Sequence, residues 1–207
     1  LLTSQLGALG SDQLQALGAG QLRGLTTQQL AALGTDDLNT LTTAQFAALS
    51  SGQIASLTST QVASLESADL AVLSSTQMRG LSTRGLAAMD SADLAALSSV
   101  QVAALSSSQL RALETNDLGG LGIAGLAGAQ IGTLTTAQLA NLGSDQLQSL
   151  NSAQIAGLTS QQLASLDTAD LNMLTTAQFR AMSSAQIAAL TSHQIGQLES
   201  ADLAALT

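Results

Sequence analysis

The sequence predicts an all-α fold, a repeat solenoid or superhelix of very short helices with one helix per eight-residue repeat. Three observations lead to this prediction. Leucine recurs at every eighth residue, an apolar residue follows it five positions later, and helix-start residues stand between the two in most units. The composition agrees, because Ala, Leu and Gln favour helix and the chain contains no Pro.

The leucine period runs through residues 1–121 and 134–206, and only Met89 and Met182 depart from it. Each unit reads Leu, a capping-type residue, Ser or Thr, a variable residue, Gln or Asp, an apolar residue, a variable residue and a small residue. One continuous helix cannot bury both apolar positions, because eight residues turn through about 800° and the apolar positions drift by about 80° per repeat. A continuous strand fails because the first and sixth positions face opposite sides.

A helix that restarts in every unit fits the segment 41–46, LTTAQF. Thr42 is placed to be the N-cap residue and Gln45 stands three positions later, which is the capping-box arrangement. Leu41 and Phe46 flank this box as a hydrophobic staple. Because such short helices are unstable alone, we expect their stability to come from stacking along the array.

A longer period of 133 residues lies over the octads, since residues 1–74 match residues 134–207 at most positions. We therefore divide the chain into an octapeptide-repeat solenoid at 1–128, a truncated repeat or joint at 129–133, and a second solenoid at 134–207. The last segment begins a second copy of the 133-residue cassette. The joint follows a Gly-rich run at 119–128 and is a kink, a protomer boundary or a register correction.

Charge and composition argue against several functional classes. The chain has five Arg, no Lys and fourteen acids, for a net charge of −9, so nucleic acid is not an expected partner. No run of eighteen apolar residues is present, so we expect no membrane insertion. The chain has no Cys, which excludes disulfides and thiolate metal sites.

Residues typical of catalysis are scarce. The single histidine, His193, stands at the variable fourth position, and no Lys is available for a phosphate-binding loop. We expect no enzymatic activity, no cofactor and no small-molecule ligand. Four arginines share the seventh position, where we expect them to face solvent, raise solubility or pair with acids of neighbouring turns. They are Arg23, Arg79, Arg111 and Arg180.

Acids cluster in a few units, and five units pair an acid at the second position with Asp at the fifth. Paired carboxylates are candidate calcium ligands. The alternative is that they cap helix N-termini and meet the positive end of the helix dipole. We prefer capping, since two carboxylates are too few for a calcium site. The candidates are Glu66, Asp69, Asp90, Asp93, Glu114, Asp117, Asp167, Asp170, Glu199 and Asp202.

Glutamine is the usual residue at the fifth position. Its side chain belongs to the predicted capping box, and it could also form an inter-repeat hydrogen-bond ladder. The sequence leaves both alternatives open.

The repeated phrase resembles the repetitive tracts of large bacterial exported and cell-surface proteins, for instance LTTAQFAAL at 41–49 and MSSAQIAAL at 182–190. The resemblance covers the whole chain and implies an extracellular or cell-surface location. It also implies a role as a spacer, an adhesin stalk or a filament. We expect a structural protein that forms an extracellular filament or fibre by stacking of short helical repeats. The alternative is an adhesin stalk or binding module that displays a Ser/Thr/Gln-rich surface.

The chain starts and stops within the repeat pattern, which we interpret as a cut through a longer array. The expected partners are therefore copies of the same protein or a continuation of the same chain.

Overall fold

The computed structural model describes residues 2–206, and in this range the chain forms twenty-four α-helices, two short 3-10 helices and no β-strand. This confirms the predicted all-α repeat fold. The 3-10 helices are Leu118–Gly120 and Ile123–Gly125. The α-helices are α1 Thr3–Leu6, α2 Ser11–Gln15, α3 Ala19–Arg23, α4 Thr27–Ala31, α5 Thr35–Asn39, α6 Thr43–Ala48, α7 Ser51–Ala55, α8 Ser59–Ala63, α9 Ser67–Ala71, α10 Ser75–Gly80, α11 Thr83–Leu86, α12 Ser91–Ala95, α13 Ser99–Ala104, α14 Ser107–Ala112, α15 Gly128–Ile131, α16 Thr136–Ala140, α17 Ser144–Ser149, α18 Ser152–Gly157, α19 Ser160–Ser165, α20 Thr168–Asn172, α21 Thr176–Arg180, α22 Ser184–Ala188, α23 Ser192–Gln197 and α24 Ser200–Leu203.

The predicted capping box starts most of these helices, and α6 shows its geometry. Thr42 has extended backbone, with φ −73° and ψ 156°, and its Oγ1 accepts a hydrogen bond from Gln45 N at 3.3 Å. In return, Thr42 N donates to Gln45 Oε1 at 2.8 Å. Where the second position is Gly, as at Gly18, the backbone N–H still donates to the glutamine, at 2.9 Å to Gln21 Oε1. The N-terminal N–H groups of even a very short helix thus find acceptors.

Each unit ends in a bend made by extended residues between two helices. After α6, Leu49 has φ −64° and ψ 145°, and Ser50 has φ −74° and ψ 158° before α7 begins. No residue in the described range has a positive φ. The bends therefore need no left-handed glycine, which explains why residues as different as Thr, Asn and Gly occupy the second position of the repeat.

The first and sixth positions of the repeat form one continuous apolar core. Phe46, at a sixth position, has no exposed surface, and Leu49, at a first position, is 3% exposed. Helices pack against helices three units away, as α7 does against α10 and α8 against α11. Each unit contributes two large side chains to the core, worth roughly 1.5–3 kcal/mol each. That gain does not order eight residues on its own, so neighbouring turns are needed.

The two 3-10 helices carry the coil through the Gly-rich region without an interruption. Leu118–Gly120 packs against α12, and Ile123–Gly125 packs against α13. Leu121 and Ile123 are both 2% exposed, so they fill the core as first- and sixth-position residues do elsewhere. The structure therefore favours the third interpretation of this region, a correction of register.

The shortened unit lies at 121–125, which differs from the expected placement at 129–133. The reason is that Leu126 is buried and begins a complete unit at 126–133 that contains α15. Gln130 makes the usual bond at the start of the helix in that unit, since its Oε1 accepts from Ala127 N at 2.8 Å. The wider division of the chain into two cassettes remains a prediction.

Close backbone contacts between turns explain several of the glycines. A Cβ on Gly80, at the end of α10, would lie 2.6 Å from the carbonyl oxygen of Ser51 in α7. Gly128 of α15 and Gly157 of α18 face each other in the same manner, and a Cβ on Gly157 would overlap the backbone of Gly128. These glycines are needed for close approach and not for a special backbone conformation.

The first prediction compares two helical glycines. Gly80→Ala should lower the stability of the fold by about 1–3 kcal/mol, because the new methyl group pushes α10 away from α7. Gly52→Ala is the matched control, since a Cβ there would meet only Ser50 Oγ at 4.0 Å. That substitution should raise stability by up to about 1 kcal/mol through helix propensity. Thermal denaturation followed by circular dichroism measures both. Equal effects would contradict the close packing of α7 and α10.

Candidate functional site

The most regular polar feature is the side-chain amide of the fifth-position glutamine, which makes three hydrogen bonds at once. Gln53 Oε1 accepts from Ser50 N at 2.8 Å within its own unit. Its Nε2 donates to Leu22 O at 2.7 Å and to Leu25 O at 2.9 Å, in an earlier part of the chain. The residue is 3% exposed, so these bonds lie inside the protein. Both amide hydrogens and the amide oxygen are used.

The two carbonyls that receive Nε2 stand at fixed distances along the sequence, 31 and 28 residues before the glutamine. They belong to the last turn of the helix four units earlier and to the first-position leucine that follows it. Because a helix also packs against the helix three units away, the superhelix contains between three and four units per turn. Each glutamine therefore ties one turn of the superhelix to the preceding one.

This arrangement confirms the ladder, the alternative in which the glutamine does more than cap its own helix. The offsets of 31 and 28 recur along most of the described chain. They hold for Gln45, Gln53, Gln61, Gln77, Gln101, Gln109, Gln154, Gln162, Gln178, Gln186 and Gln194.

The ladder continues across the shortened unit, although Gln130 Nε2 donates to Ala103 O at 3.1 Å, one residue beyond the usual acceptor, and to Leu105 O at 2.8 Å. Gln138 Nε2 donates to Leu110 O and Leu113 O, both at 2.9 Å and with offsets of 28 and 25 residues. Gln146 has the same pair of offsets, and Gln154 returns to 31 and 28. The three residues that the unit 121–125 lacks account for the smaller offsets. The hydrogen bonds are therefore preserved while the sequence spacing changes.

Side chains at the seventh position add bonds in the opposite direction along the coil. Arg23 Nε donates to Ala48 O at 2.9 Å, 25 residues ahead, and Arg111 Nε donates to Thr133 O at 2.9 Å. Asn39 Nδ2 donates to Ser64 O at 2.6 Å. Arg23 and Arg111 lie at the surface as predicted, but these bonds join them to backbone carbonyls of the next turn. Sequence reasoning missed these contacts, because a carbonyl acceptor leaves no residue-type signal.

Several of the paired acids lie at helix starts, and two of them cap as the preferred interpretation predicts. Asp90 Oδ1 accepts from Ala92 N and Asp93 N, both at 2.9 Å. Asp167 Oδ1 accepts from Asp170 N at 2.7 Å.

Four other paired acids lie near helix starts without forming such a cap. Glu66 and Glu199 occupy N-cap positions without a side-chain bond to the helix. Glu114 is exposed before a turn at 115–117, and Asp117 precedes the first 3-10 helix.

The fifth-position aspartates occupy the sites that glutamine fills in the ladder. Asp69, Asp93 and Asp202 are 3%, 7% and 5% exposed, and Asp170 is half-buried. Burial, followed by the charge of Glu66, raises the pKa of Asp69 to about 6. Burial is also the main cause that raises the pKa of Asp93, and burial together with Asp167 raises that of Asp170. A carboxylate here has no N–H group to offer the preceding turn.

The acids do not come together as a ligand set. Nowhere in residues 2–206 do three or more His, Cys, Asp or Glu side chains gather closely enough to hold a metal ion. Calcium takes six to eight oxygen ligands, so the calcium interpretation stays an untested prediction without support from this geometry. His193 is exposed on α23. The expectation that the protein is not an enzyme likewise remains a prediction.

Within residues 2–206, no helix combines the length and the apolar character needed to cross a bilayer.

The repeat itself matches a known family. The family model described as ALTTAQ repeat matches seven overlapping segments, at residues 6–37, 30–67, 62–91, 86–123, 123–160, 136–168 and 163–200. The chain belongs to the ALTTAQ repeat family. No curated protein matches the sequence. Membership agrees with the resemblance on which the sequence interpretation rests, and it supports a repetitive structural segment.

The second prediction isolates the ladder bonds with two adjacent glutamines. Gln162→Glu keeps an oxygen for Thr159 N but removes the donors to Ile131 O and Leu134 O, which now lie 3.0 and 2.8 Å from Nε2. Leaving buried carbonyls without a donor should cost about 1–3 kcal/mol, with a further cost for the buried charge. Thermal denaturation at neutral pH should therefore show a clear loss of stability.

The control is Gln161→Glu. Gln161 is exposed on the same helix, and its substitution by Glu introduces the same charge. Its effect should be within about 0.5 kcal/mol. Mild acid should restore part of the stability of Gln162→Glu, since a neutral carboxyl can donate one hydrogen bond. Equal stability of the two variants would contradict the role of the ladder.

Proposed function

We propose that this ALTTAQ repeat segment is a structural element that forms an extracellular filament or fibre. The observation that carries the proposal is the repeated register of the glutamine bonds, 31 and 28 residues back, in turn after turn on both sides of the shortened unit. A ladder with one repeated register has no natural limit of length. It can be extended by more units of the same chain or by another copy.

The direction of the ladder supports end-to-end growth. In every turn the glutamine amides donate toward the preceding turn, and helix-end carbonyls accept from the following one. In the first turn of the described chain, Gln13 and Gln21 are exposed, and their Oε1 atoms bind only the N-cap N–H groups, at 2.9 Å. In the ladder register their Nε2 groups would donate to a preceding turn, which more units of the same chain or another copy could supply.

The extracellular location is part of the proposal and rests on the resemblance to exported bacterial repeat tracts. The chemistry of the coil suits that setting. Its cohesion comes from apolar burial and neutral amide hydrogen bonds, which salt screens little compared with ion pairs. No disulfide is involved, because the chain has no Cys.

A second candidate is an adhesin stalk or binding module, and the exposed hydroxyls favour it. Third-position residues such as Thr27, Thr43 and Ser59, which lie two units apart, are exposed. They give one side of each unit a polar surface that repeats with the coil.

The third prediction concerns assembly, measured by negative-stain electron microscopy and sedimentation velocity on the purified chain. We expect filaments of uniform width, with a helical circular dichroism spectrum. The double variant Gln13→Glu/Gln21→Glu should keep the spectrum and the melting temperature of the isolated chain but form shorter filaments, because two of the three exposed fifth-position donors in the first three units are lost. Gln28→Glu is the control, since Gln28 is exposed in the same region at a fourth position, outside the ladder.

Two other outcomes would change the assignment. Dispersed helical particles at all concentrations would favour the stalk or binding module. Filaments of unchanged length in the double variant would show that growth does not use the ladder register.

A further inference from the structure

Asp69 stands where the ladder has a glutamine in most other units. It is 3% exposed, at the fifth position of the unit that contains α9. The offsets of the ladder place Leu38 O and Leu41 O opposite its side chain, as Leu22 O and Leu25 O lie opposite Gln53. An ionised carboxylate only accepts hydrogen bonds, so it cannot serve these carbonyls. Asp69 must therefore either be protonated or leave these carbonyl oxygens without a donor from its side chain.

A second observation points to the same place from the preceding turn. Asn39, at the end of α5, donates from Nδ2 to Ser64 O at 2.6 Å, but its Oδ1 is buried and has no hydrogen-bond partner. Asn39 stands 30 residues before Asp69. Elsewhere a fifth-position side chain reaches the main chain at this offset, since Gln101 Nε2 donates to the backbone carbonyl of Ala71 at 3.3 Å.

The arrangement recurs in the second part of the chain. Asn172 Oδ1 is likewise buried without a partner, and Asp202 stands 30 residues after it, although there Asp202 Oδ1 accepts from Thr176 Oγ1 at 3.1 Å. These two asparagine oxygens are the buried side-chain atoms that lack a partner within residues 2–206. Since buried polar atoms are nearly always hydrogen-bonded, the unpaired Asn39 Oδ1 needs a donor, and the O–H of a neutral Asp69 carboxyl would supply one.

The charges around Asp69 all have one sign. Glu66 precedes α9 on the same unit, α5 carries Asp36 and Asp37, and α12 carries Asp93 and is preceded by Asp90. Helix α6, which also packs against α9, has no titratable residue. No cation on these elements is available to stabilise an ionised Asp69.

We propose that Asp69 is a proton-carrying rung of the ladder, whose neutral carboxyl donates its O–H to Asn39 Oδ1 and so ties α9 to α5. This tie strengthens the coil in mild acid and is lost near neutral pH. The inference concerns the stability of the coil and holds whether or not the protein forms filaments.

The direction of the pH effect follows from linkage. Burial, with the nearby charge of Glu66, raises the pKa of Asp69 from 3.8 to about 6, so the folded state binds this proton about a hundredfold more tightly than the unfolded state. A raised pKa means that the folded state holds more protons between these values. Stability from this group is therefore fully present below about pH 4 and is lost as the pH rises through about 6. This is opposite to ordinary acid denaturation.

The fourth prediction tests the tie on the full chain by NMR titration of the Asp69 carboxyl carbon and by thermal denaturation between about pH 4.5 and 7.5. In the unmodified protein the carboxyl should titrate near 6, and the melting temperature should rise on acidification. Asn39→Ala should move the Asp69 midpoint to lower pH, because the acceptor for its proton is gone. Asp69→Asn, which is neutral and offers an N–H donor at every pH, should remove part of the pH dependence of the melting temperature.

Asp145→Asn is the matched control, since Asp145 is exposed at a fourth position and loses the same charge. It should leave the pH dependence unchanged. A midpoint for Asp69 near 4, or an unchanged midpoint in Asn39→Ala, would overturn the proposal. Should Asn39→Ala fold poorly, Asp69→Asn decides alone: a pH dependence equal to that of the unmodified protein would also overturn it.

Discussion

The whole architecture depends on one side-chain amide that satisfies three backbone groups. An eight-residue unit leaves helix-start N–H groups and helix-end carbonyls without partners, and water cannot reach them in a packed coil. Gln53 binds the N–H of Ser50 in its own unit and the carbonyls of Leu22 and Leu25 in the preceding turn. Local helix formation and long-range coiling therefore rest on the same residue. This explains why Gln recurs more strictly than the neighbouring fourth and seventh positions.

The sequence predicts the local structure well, because capping chemistry lies within a few residues. Thr42, Gln45 and Phe46 are sufficient to indicate a helix start and its buried face. The partners of the ladder cannot be found in this way, since they are main-chain carbonyls and every residue has one. Their offset depends on how much each extended pair, such as Leu49 and Ser50, turns the chain. That angle accumulates over four units before a contact forms.

The shortened unit is a second feature that local sequence patterns do not place. Its sequence has two leucines in quick succession, and either Leu121 or Leu126 could begin the next unit. The structure uses both, because the 3-10 helix Ile123–Gly125 places Ile123 in the core with three fewer residues. The acids are a similar case. The capping role of Asp90 is visible in the sequence, whereas the burial of Asp69 follows only from the register of the preceding turn.

A ladder of equal rungs allows each rung to be altered separately. In a repeat array, stability is set by contacts between neighbours, so a weaker rung loosens the coil only where it lies. Asp stands at the fifth position in place of the usual Gln at Asp69, Asp93 and Asp170. These units lack the amide donors, but their apolar positions are the same as in the other units. The core is the same in these units, and at Asp69 the proposed contact with Asn39 depends on a proton. Variation among the fifth positions therefore changes the hydrogen bonds between turns from one part of the coil to another.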